Sequence, residues 1–445
     1  MQKIHGHRFV GLFKSLDTTS YFPALPQTAR LRGVKPIVKC RVCGNTELVE
    51  ILNLGEQYLT GSFPRTNAGE GLTIGPLTLV KCHGGNESCG LVQLLHSYDA
   101  SEMYGSDYGY RSGLNYRMVQ HLERKVKEIQ ETVSLDNGDI VIDIGSNDGT
   151  TLGFYPENLT LIGIDPTAGK FTNYYKKNIR VIADFFSENL IRSEIGNKKA
   201  KVISSFAMFY DLEDPVSFAQ QIRNLLSNDG IWVFEQSFLP AMIEANAYDT
   251  VCHEHIEYYG LKQIVWILEK SGMRLIDVHI NDTNGGSFSV IATPQISNLK
   301  TNIANISQVK HVEEMTDINS LETYTKFAQR VKRSKDEIIR TLESFKHQDK
   351  RVSALGASTK GNVVLQYCGI TTELIDQVGD VNPDKYGCFT PGSWIPIKSE
   401  PEVLDSFPDA LIVLPWHFRQ FFVDRPNFSG RKLIFPLPNL EIVQL

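Results

Sequence analysis

The sequence has no uninterrupted apolar run approaching the ~20 residues that a membrane-spanning helix needs. Its first residues, MQKIHGHRFVGLFKSLDTTS, also lack the long uncharged run and small-residue cleavage site that are typical of a secretory signal. We therefore expect a cytoplasmic protein in a reducing compartment, without a membrane partner.

The chain also has no excess of positive charge. It carries 45 lysine and arginine residues against 51 aspartate and glutamate residues, which gives a formal net charge of −6. A nucleic-acid-binding protein normally presents a basic surface, so this balance disfavours nucleic acid as a partner. The hydrophobic fraction of 42% is ordinary for a folded protein and too high for a mostly disordered one.

From residue 139 onward, short β-branched runs alternate with amphipathic stretches. The runs are DIVIDIG, LTLIGID, RVIADFF, AKVISSF, GIWVFEQ, RLIDVHI and FSVIATP. This alternation predicts an α/β fold with a doubly wound, mostly parallel sheet. Helical spacing of Met118, Leu122, Val126 and Ile129 predicts a helix over 115–134 that leads into the sheet.

A long polar helical segment, roughly 311–346, interrupts the alternation as a connector. The pattern then restarts at Arg351 with RVSALGAS, ELIDQVGD, DALIVLPW and KLIFPL. The C-terminal third is therefore predicted to form a second, smaller α/β domain. Residues 1–35 are rich in proline and basic residues without a clear period, and we treat them as an N-terminal arm.

Four of the seven cysteines lie close together in the N-terminal part of the chain, as the pairs Cys40/Cys43 and Cys82/Cys89. In a reducing compartment such a cluster indicates metal binding rather than disulfides. Four thiolates in a tetrahedron suit a structural zinc ion and leave no open position for catalysis. The second pair is wider than the usual spacing, so His83 is an alternative ligand. Four free buried thiols are the alternative without a metal.

A strand followed by a glycine-containing loop, VIDIGSNDG over 141–149, carries the first cofactor signal. Asp143 ends the strand, Gly145 permits a sharp turn, and Gly149 is placed where a helix is predicted to begin. An anionic pyrophosphate would not favour a loop that carries both Asp143 and Asp148, whereas a cationic sulfonium with an amino-acid tail tolerates it. Asn147 adds an amide to the same loop.

Two later strand ends complete this prediction. Asp165 follows about twenty residues on, where a carboxylate can bind both ribose hydroxyls of an adenosine. Asp184 and Phe185 follow the third strand and would clamp an adenine. The ordered set predicts S-adenosylmethionine (SAM) as the cofactor. The alternative is an unrelated nucleotide fold whose strand ends carry aspartate.

Five motifs occur in a fixed order: the cysteine pairs, the DIGSNDG loop, the tract DTVCHEHIEYY over 249–259, the turn NGGS over 284–287 and the loop GASTKGN over 356–362. With this set, the sequence from Lys39 to the C-terminus resembles the three-part sugar C-methyltransferases that act on nucleotide-linked 4-keto-deoxysugars, typically at C3. The late segments NPDK, TPG and IPI also match the C-terminal pattern of that family.

The resemblance implies how the chain is divided. After the arm it implies a zinc-binding and substrate-contacting domain over 36–115, a SAM-binding methyltransferase domain over 116–297 and a Rossmann-like domain over 298–445. In the family these three domains enclose a nucleotide-diphosphate sugar. The sequence specifies neither the sugar and the nucleotide nor the oligomeric state.

The implied chemistry makes a clear physical demand. Moving a methyl group from sulfur to carbon requires a carbanion equivalent, which a neighbouring ketone supplies as an enolate. The enzyme must remove the C3 proton and hold the oxyanion that develops at O4. Glu254 and His255 match the Glu-His pair of the family, and Tyr110 is the best match to its N-domain tyrosine. We do not expect a catalytic metal at the His-Glu-His run, because no third ligand is evident.

Two departures from the family pattern concern the acid and base groups. Asp211 stands where the family places a histidine, and Cys252 stands where it places a tyrosine. His253 is therefore a candidate replacement proton carrier. The alternative activity is sugar O-methylation, which needs only a base near a hydroxyl, such as Asp211 or His255.

Lys360, beside Gly356 and Gly361 after a strand, resembles a phosphate cradle of backbone amides and one cation. The alternative is a helix N-terminus with an ordinary surface lysine. The remaining residues expected to contact the substrate are Tyr108, Arg111, Ser112 and Asn362.

Two other function classes compete with a sugar methyltransferase. A nucleic-acid methyltransferase is disfavoured by the net charge and by the lack of a basic stripe. A degenerate nucleotide-sugar-binding protein would explain Asp211 and Cys252 as lost catalysis, but the retained Glu254 and His255 favour an enzyme.

Overall fold

A computed structural model describes residues 33–66, 72–85, 88–104 and 110–445. Most of the predicted N-terminal arm therefore lies outside the described residues. The first domain is small and antiparallel. Its elements are β1 Lys35–Pro36, β2 Leu48–Tyr58, β3 Ile74–Cys82, β4 Val92–Leu94, β5 His96–Ser97 and α1 Ala100–Met103. Strands β2, β3 and β4 are neighbours in one sheet.

The middle of the chain forms the predicted doubly wound sheet. Its seven strands are β6 Ile140–Ile144, β7 Thr160–Ile164, β8 Ile179–Ile182, β9 Ala200–Phe206, β10 Leu226–Ser237, β12 Met273–Asn281 and β13 Ser287–Pro294. Strand β11 Glu257–Tyr258 lies between β10 and β12 in the sequence but belongs to another sheet. The order is β12-β13-β10-β9-β6-β7-β8. The five strands β10, β9, β6, β7 and β8 are parallel, and β13 is antiparallel to both of its neighbours. The loops that follow the parallel strands therefore share one edge, where ligands bind in such sheets.

Helices cover both faces of this sheet, as the alternation predicts. They are α2 Tyr116–Thr132, α3 Ala168–Phe171, α4 Glu188–Ile195, α5 Pro215–Leu225, α6 Leu239–Glu244 and α7 Leu261–Lys270. The helix predicted over 115–134 is α2, which Asn115 caps by accepting hydrogen bonds from the first turn. Its buried Val126 and Ile129 pack with Val141 and Leu161 of the sheet.

Strand β11 belongs to a different sheet from the elements that surround it in the sequence. Glu257 and Tyr258 pair antiparallel with Gln93 and Val92 of β4. A segment from the predicted SAM-binding domain thus completes the four-stranded sheet β11-β4-β3-β2 of the N-terminal domain. This pairing holds the tract that immediately precedes β11 at the junction of the two domains.

The C-terminal part contains the predicted second α/β domain. Its sheet has the order β16-β15-β14-β17-β18-β19, parallel except for β19 at the edge. The strands are β14 Val352–Leu355, β15 Val378–Asp380, β16 Ile397–Ser399, β17 Ala410–Val413, β18 Lys432–Phe435 and β19 Glu441–Gln444. The helices from the connector onward are α8 Ile303–Thr316, α9 Leu321–His347, α10 Thr359–Cys368, α11 Glu400–Asp405 and α12 Arg419–Val423.

The connector differs from the single helical segment predicted over 311–346. It consists of α8 and α9, which are separated at Asp317, a residue in the left-handed conformation with φ 53°. Helix α8 packs on β12 and α7 of the middle domain, so the predicted boundary at residue 298 stays a prediction. No helix within the described ranges is both long enough and apolar enough to cross a membrane.

The N-terminal and C-terminal domains contact each other directly. The backbone nitrogen of Tyr58 donates to Gln366 Oε1 at 2.8 Å, and Gln366 Nε2 donates back to the Tyr58 carbonyl at 3.2 Å. The backbone nitrogen of Phe389 donates to the carbonyl of Pro64 at 2.8 Å. The two bonds of the Gln366 side chain fix the end of β2 against α10.

Candidate functional site

The sulfur atoms of Cys40, Cys43, Cys82 and Cys89 lie within 4.8 Å of one another. The Sγ–Sγ distances are 3.5 Å for Cys40–Cys89 and for Cys43–Cys82. Zinc–sulfur bonds of about 2.3 Å in a tetrahedron place the sulfurs about 3.8 Å apart, so these four residues fit one zinc ion. His83 is exposed and lies outside the cluster, which does not support it as a replacement ligand.

Local backbone geometry brings the first cysteine pair together. Cys40 accepts a hydrogen bond from the backbone nitrogen of Gly44, which has a positive φ of 75°. Asn45 Nδ2 donates to Cys82 Sγ at 3.4 Å and so joins the two pairs. Cys40, Cys82 and Cys89 are buried in the hydrophobic core that also contains one face of the middle sheet. Such a closed site serves structure rather than catalysis.

The loop after β6 turns sharply because Gly145, Asn147 and Gly149 have positive φ angles of 72°, 49° and 76°. A Cβ on Gly149 would lie 2.6 Å from the ring of Tyr175. The Tyr175 hydroxyl is 2.8 Å from Ser146 Oγ and donates to the Asn147 carbonyl at 2.8 Å. Tyr175 therefore holds the loop closed, which the sequence analysis did not foresee.

The prediction of a helix that begins at Gly149 is wrong. A single 3-10 turn, Leu152–Phe154, takes its place. Pro156 follows closely and has no N–H with which to continue a helix.

The two acidic strand ends are buried and bonded within the protein. Asp165 Oδ2 accepts from the backbone nitrogen of Asn147 at 2.9 Å, and Oδ1 accepts from that of Thr167 at 2.6 Å. Asp143 accepts from Ser204 Oγ at 2.6 Å, and burial raises the pKa of Asp143 to about 7. Both lie at the ligand-binding edge of the sheet, and their contacts with the cofactor stay a prediction.

Residues 110–113 dock onto the same loop rather than onto the C-terminal domain. Ser112 donates its backbone N–H to Asn147 Oδ1 at 2.9 Å, and Gly113 donates its own to Asp148 Oδ2 at 2.9 Å. Arg111 pairs with Asp148 at 3.8 Å. The predicted diphosphate contacts of Arg111 and Ser112 therefore gain no support from the geometry. Tyr108 lies outside the described residues.

Asp184 and Phe185 are exposed after β8, as an adenine clamp requires. The backbone nitrogen of Phe185 donates to the Asp184 carboxylate at 2.7 Å, so this side chain caps its own turn. The Phe185 ring lies edge-on to Tyr104 of the N-terminal domain, with 6.4 Å between ring centroids. Their contact with adenine stays a prediction.

His255 lies at the junction in a defined tautomer. Its Nδ1 is 3.1 Å from the Thr250 carbonyl, which can only accept, so Nδ1 carries the proton. Nε2 then holds a lone pair and has no hydrogen-bond partner among the described residues. The ring packs on Tyr210 at 4.2 Å between centroids. Burial, with a smaller effect of the Lys360 cation, lowers the pKa of His255 to about 3, so the imidazole is neutral.

Glu254 lies directly against the backbone of Gly61. A Cβ on Gly61 would be 1.9 Å from Glu254 Oε1, so any other residue at this position would require the carboxyl group to move. The Cys252 thiol donates to Glu254 Oε2 at 3.7 Å. Burial raises the pKa of Glu254 to about 7.

His253 points away from these groups into the N-terminal domain. Its Nε2 is 3.2 Å from the Gly75 carbonyl, and its ring meets Tyr98 edge-on at 4.7 Å. Burial lowers the pKa of His253 to about 4. This position supports a packing role rather than the predicted proton transfer.

Tyr110 is 46% exposed, and its carbonyl accepts from Asn147 Nδ2 at 3.2 Å.

Lys360 reaches from the first turn of α10 toward the middle domain. Its Nζ donates to the carbonyl of Asn284 in the NGGS turn at 2.7 Å. Burial lowers the pKa of Lys360, and the negative charge of Asp249 acts in the opposite direction. Asn362 is fully buried and donates from Nδ2 to the carbonyl of Thr60 at 2.7 Å. Asn362 Oδ1 finds no partner within the described part of the chain.

Three matches to known families cover the chain in order. Residues 40–104 match "Putative zinc binding domain", residues 111–278 match "Methyltransferase domain" and residues 282–438 match "C-methyltransferase C-terminal domain". The chain is a SAM-dependent methyltransferase whose C-terminal part matches the C-methyltransferase C-terminal domain. SAM is the methyl donor of this methyltransferase, and the cysteine cluster is its zinc site.

Individual relatives of the methyltransferase are distant. C-methyltransferase NovU of Streptomyces niveus is 28% identical over 418 residues, which cover 92% of this chain and 98% of NovU. Among solved structures, plantazolicin methyltransferase BpumL with SAH is 14% identical, with 39% of this chain and 82% of that one covered and a TM-score of 0.31. Magnesium protoporphyrin IX methyltransferase of Synechocystis PCC 6803 is 13% identical, with 40% and 88% covered and a TM-score of 0.32.

The methyltransferase also brings residues to the junction that the sequence analysis missed. Asp249 is 1% exposed and accepts from Trp416 Nε1 at 2.8 Å, which links the tract to the loop after β17. Gln236, at the carboxyl end of β10, is buried, and neither of its amide atoms has a partner in the described ranges. No motif marks these contacts, because they join segments distant in sequence.

We expect one tightly held zinc ion per methyltransferase chain. Because metal binding contributes folding free energy, Cys43→Ser should yield mainly insoluble protein. Cys388→Ser, at a buried cysteine outside the cluster, is the matched control and should remain soluble with its zinc. Elemental analysis measures the stoichiometry. Zinc-free protein that is fully stable in strong chelator would contradict this prediction.

We also expect Asp165→Ala to weaken SAM binding. Losing the acceptor for two hydroxyl groups costs on the order of 2 kcal/mol, which is roughly thirtyfold in affinity. Loss of the bond to the Asn147 backbone acts in the same direction. Isothermal calorimetry measures the effect, with Asp136→Ala at the opposite edge of the sheet as the control. Equal affinities for Asp165→Ala and wild type would remove Asp165 from the cofactor site.

Proposed function

We propose that this methyltransferase transfers a methyl group to the carbon beside the ketone of a nucleotide-linked 4-keto-deoxysugar. The observation that carries the proposal is His255, a neutral imidazole whose Nε2 lone pair is available at the junction of the domains. The sequence resemblance described above supports the choice of substrate.

The reaction needs a base that is unprotonated at neutral pH and can reach a C–H group. In the proposal, His255 Nε2 removes the proton beside the ketone, and the electron pair moves to the carbonyl oxygen. The hydrogen bond from Nδ1 to the Thr250 carbonyl keeps the ring in this tautomer and stabilises the imidazolium that forms. SAM, when bound, supplies the electrophilic methyl group that the enolate carbon accepts.

Glu254, the residue before His255, contributes a carboxyl group that can be either protonated or ionised. With a pKa of about 7 it changes protonation state near neutral pH, which suits proton exchange with the substrate. Gly61 and Cys252 hold it on the side of the N-terminal domain. A role of Tyr110 beside the same carbon remains part of the proposal.

Lys360 and the start of α10 are proposed to bind the diphosphate. The side chain of Ser358 caps this helix, whose first backbone N–H groups can face an anion. Lys360 adds a cation that is held toward the reacting groups by the Asn284 carbonyl. Asn362 is proposed to contact the substrate through its buried Oδ1.

The first test is exchange of the proton beside the ketone with deuterated solvent in the absence of SAM. The probes are thymidine-, cytidine- and guanosine-diphosphate-linked 4-keto-deoxyhexoses, and NMR follows the C–H signal. We expect His255→Ala to lose roughly 10²–10⁴ in exchange rate while its SAM affinity stays near wild type. His279→Ala, at a surface histidine, is the control.

Undiminished exchange in both His255→Ala and Glu254→Gln would assign the base to another group. Absence of exchange with every keto-sugar would favour sugar O-methylation. A chain that binds these nucleotides but transfers no labelled methyl group would be the degenerate binding protein.

The second test concerns the charge of His255. Because burial and Lys360 both disfavour the imidazolium, we expect the ring to stay neutral from pH 8 down to pH 5. Removing the cation in Lys360→Met should raise the pKa of His255, so protonation begins at higher pH. Lys385→Met, a buried lysine paired with Asp380 instead, is the control.

Histidine-ring NMR titration measures this effect, with the His255 signal assigned by its absence from His255→Ala. The neighbouring titratable groups are Tyr210 on the ring face and Glu254 in the same tract. A His255 titration curve that is the same in Lys360→Met and wild type would show that the cation does not act on this ring.

A further inference from the structure

Tyr104 and Asp211 form a polar contact between two domains. Tyr104 ends α1 of the N-terminal domain, and its hydroxyl donates to Asp211 Oδ2 at 2.6 Å. Asp211 lies in the short 3-10 turn Phe209–Asp211 after β9. The contact therefore joins the segment after α1 to the ligand-binding edge of the middle sheet.

The turn that carries Asp211 contacts the tract over 249–259, which contains His255. The Tyr210 carbonyl accepts from the backbone nitrogen of Ile256 at 3.0 Å, and the Tyr210 ring packs on His255. Asp211 follows Tyr210 directly, and it lies close enough to Glu254 for the charge of that carboxylate to raise the Asp211 pKa. Asp211 Oδ1 is buried, and the described residues offer it no hydrogen-bond partner.

The charges around Asp211 favour its neutral form. Burial raises the pKa of Asp211 well above its usual value, and Glu254 and Glu257 act in the same direction. The hydrogen bond from Tyr104 opposes this shift without cancelling it. A neutral carboxyl group has one O–H donor. With Oδ2 accepting from Tyr104, Oδ1 is the oxygen left to carry that proton.

We propose that Asp211 is a catalytic residue that donates a hydrogen bond from Oδ1 to the substrate's carbonyl oxygen, and that Tyr104 is the residue that positions it. This inference rests on the proposed function. As His255 Nε2 takes the proton from carbon, the C–H pair forms the enolate double bond and the carbonyl π pair moves to oxygen. Asp211 stabilises that oxyanion without giving up its proton.

Methyl transfer then reverses the charge movement. SAM, when bound, would supply the methyl group to the enolate carbon; its carbon–sulfur bond would break with the electron pair remaining on sulfur, and the carbonyl group would form again. The proton on His255 leaves to solvent. A neutral Asp211 could not serve as the base of an O-methyltransferase, so this role also separates the two activities.

The experiment compares Asp211→Asn, Asp211→Ala and Tyr104→Phe in the deuterium-exchange assay, using a keto-sugar nucleotide that the wild-type chain deprotonates. Asp211→Asn keeps an uncharged donor and should stay within about tenfold of wild type, whereas Asp211→Ala should lose roughly 10²–10³. SAM affinity, measured by calorimetry, should change in neither variant and reports whether each one folds.

The pH profile distinguishes a positioning role of Tyr104 from a merely structural one. Exchange should fall as pH rises through the pKa of Asp211, because the ionised carboxylate cannot donate. Removing the hydroxyl in Tyr104→Phe withdraws a bond that favours the ionised form, so this alkaline limb should move to higher pH. In Asp211→Asn the limb should disappear.

Asp211→Asn that is as slow as Asp211→Ala, or an alkaline limb that is unchanged in Tyr104→Phe, would overturn the inference and leave the proposed function standing. A wild-type chain that exchanges no keto-sugar would overturn both. Normal rates in Asp211→Ala would show that another group stabilises the oxyanion.

Discussion

The pairing of β11 with β4 is the contact on which the arrangement of the site depends. Only Ile256 separates His255 from this strand, so the ladder to Val92 and Gln93 sets the position of the whole tract. It brings Glu254 against Gly61 and keeps His255 on Tyr210. The proposed catalytic groups are thus held between domains by backbone hydrogen bonds.

Burial controls the charges of this junction. It keeps His255 neutral, raises the pKa of Glu254 toward neutrality and favours the neutral form of Asp211. The charge of Lys360 acts on His255 in the same direction as burial and lowers its pKa further. In such a poorly solvated place, a charge that develops on a substrate interacts strongly with fixed donors and cations, because little water screens it.

The sequence allowed the fold to be predicted wherever the signal was local. Alternating β-branched runs identified both parallel sheets, and Asn115 with the spacing that follows it identified α2. The cysteine pairs identified the zinc site, because ligand type and spacing carry that chemistry. Local patterns failed after Gly149, where the nearby proline and the Tyr175 ring leave only one 3-10 turn.

Long-range contacts explain the remaining misses. Strand β11 has two residues, too few to show a period, and its partner lies in another domain. The closeness of Gly61 to Glu254 and of Tyr104 to Asp211 depends on how three sheets are assembled. The sequence does not distinguish His253 from His255 as a proton carrier. In the fold, His253 contacts the Gly75 carbonyl of the N-terminal domain, whereas His255 contacts the Thr250 carbonyl of its own tract.

The origin of β11 also has a consequence during synthesis on the ribosome. The zinc cysteines are complete once Cys89 has emerged, but the fourth strand of their sheet waits for Tyr258. At ~5–20 residues per second, that interval is on the order of ten seconds or more. Throughout it, β4 presents a bare edge that can pair with another nascent chain. Early capture of zinc would join Cys89, just before β4, to Cys82 at the end of β3, but it would leave this edge unpaired until β11 has been made.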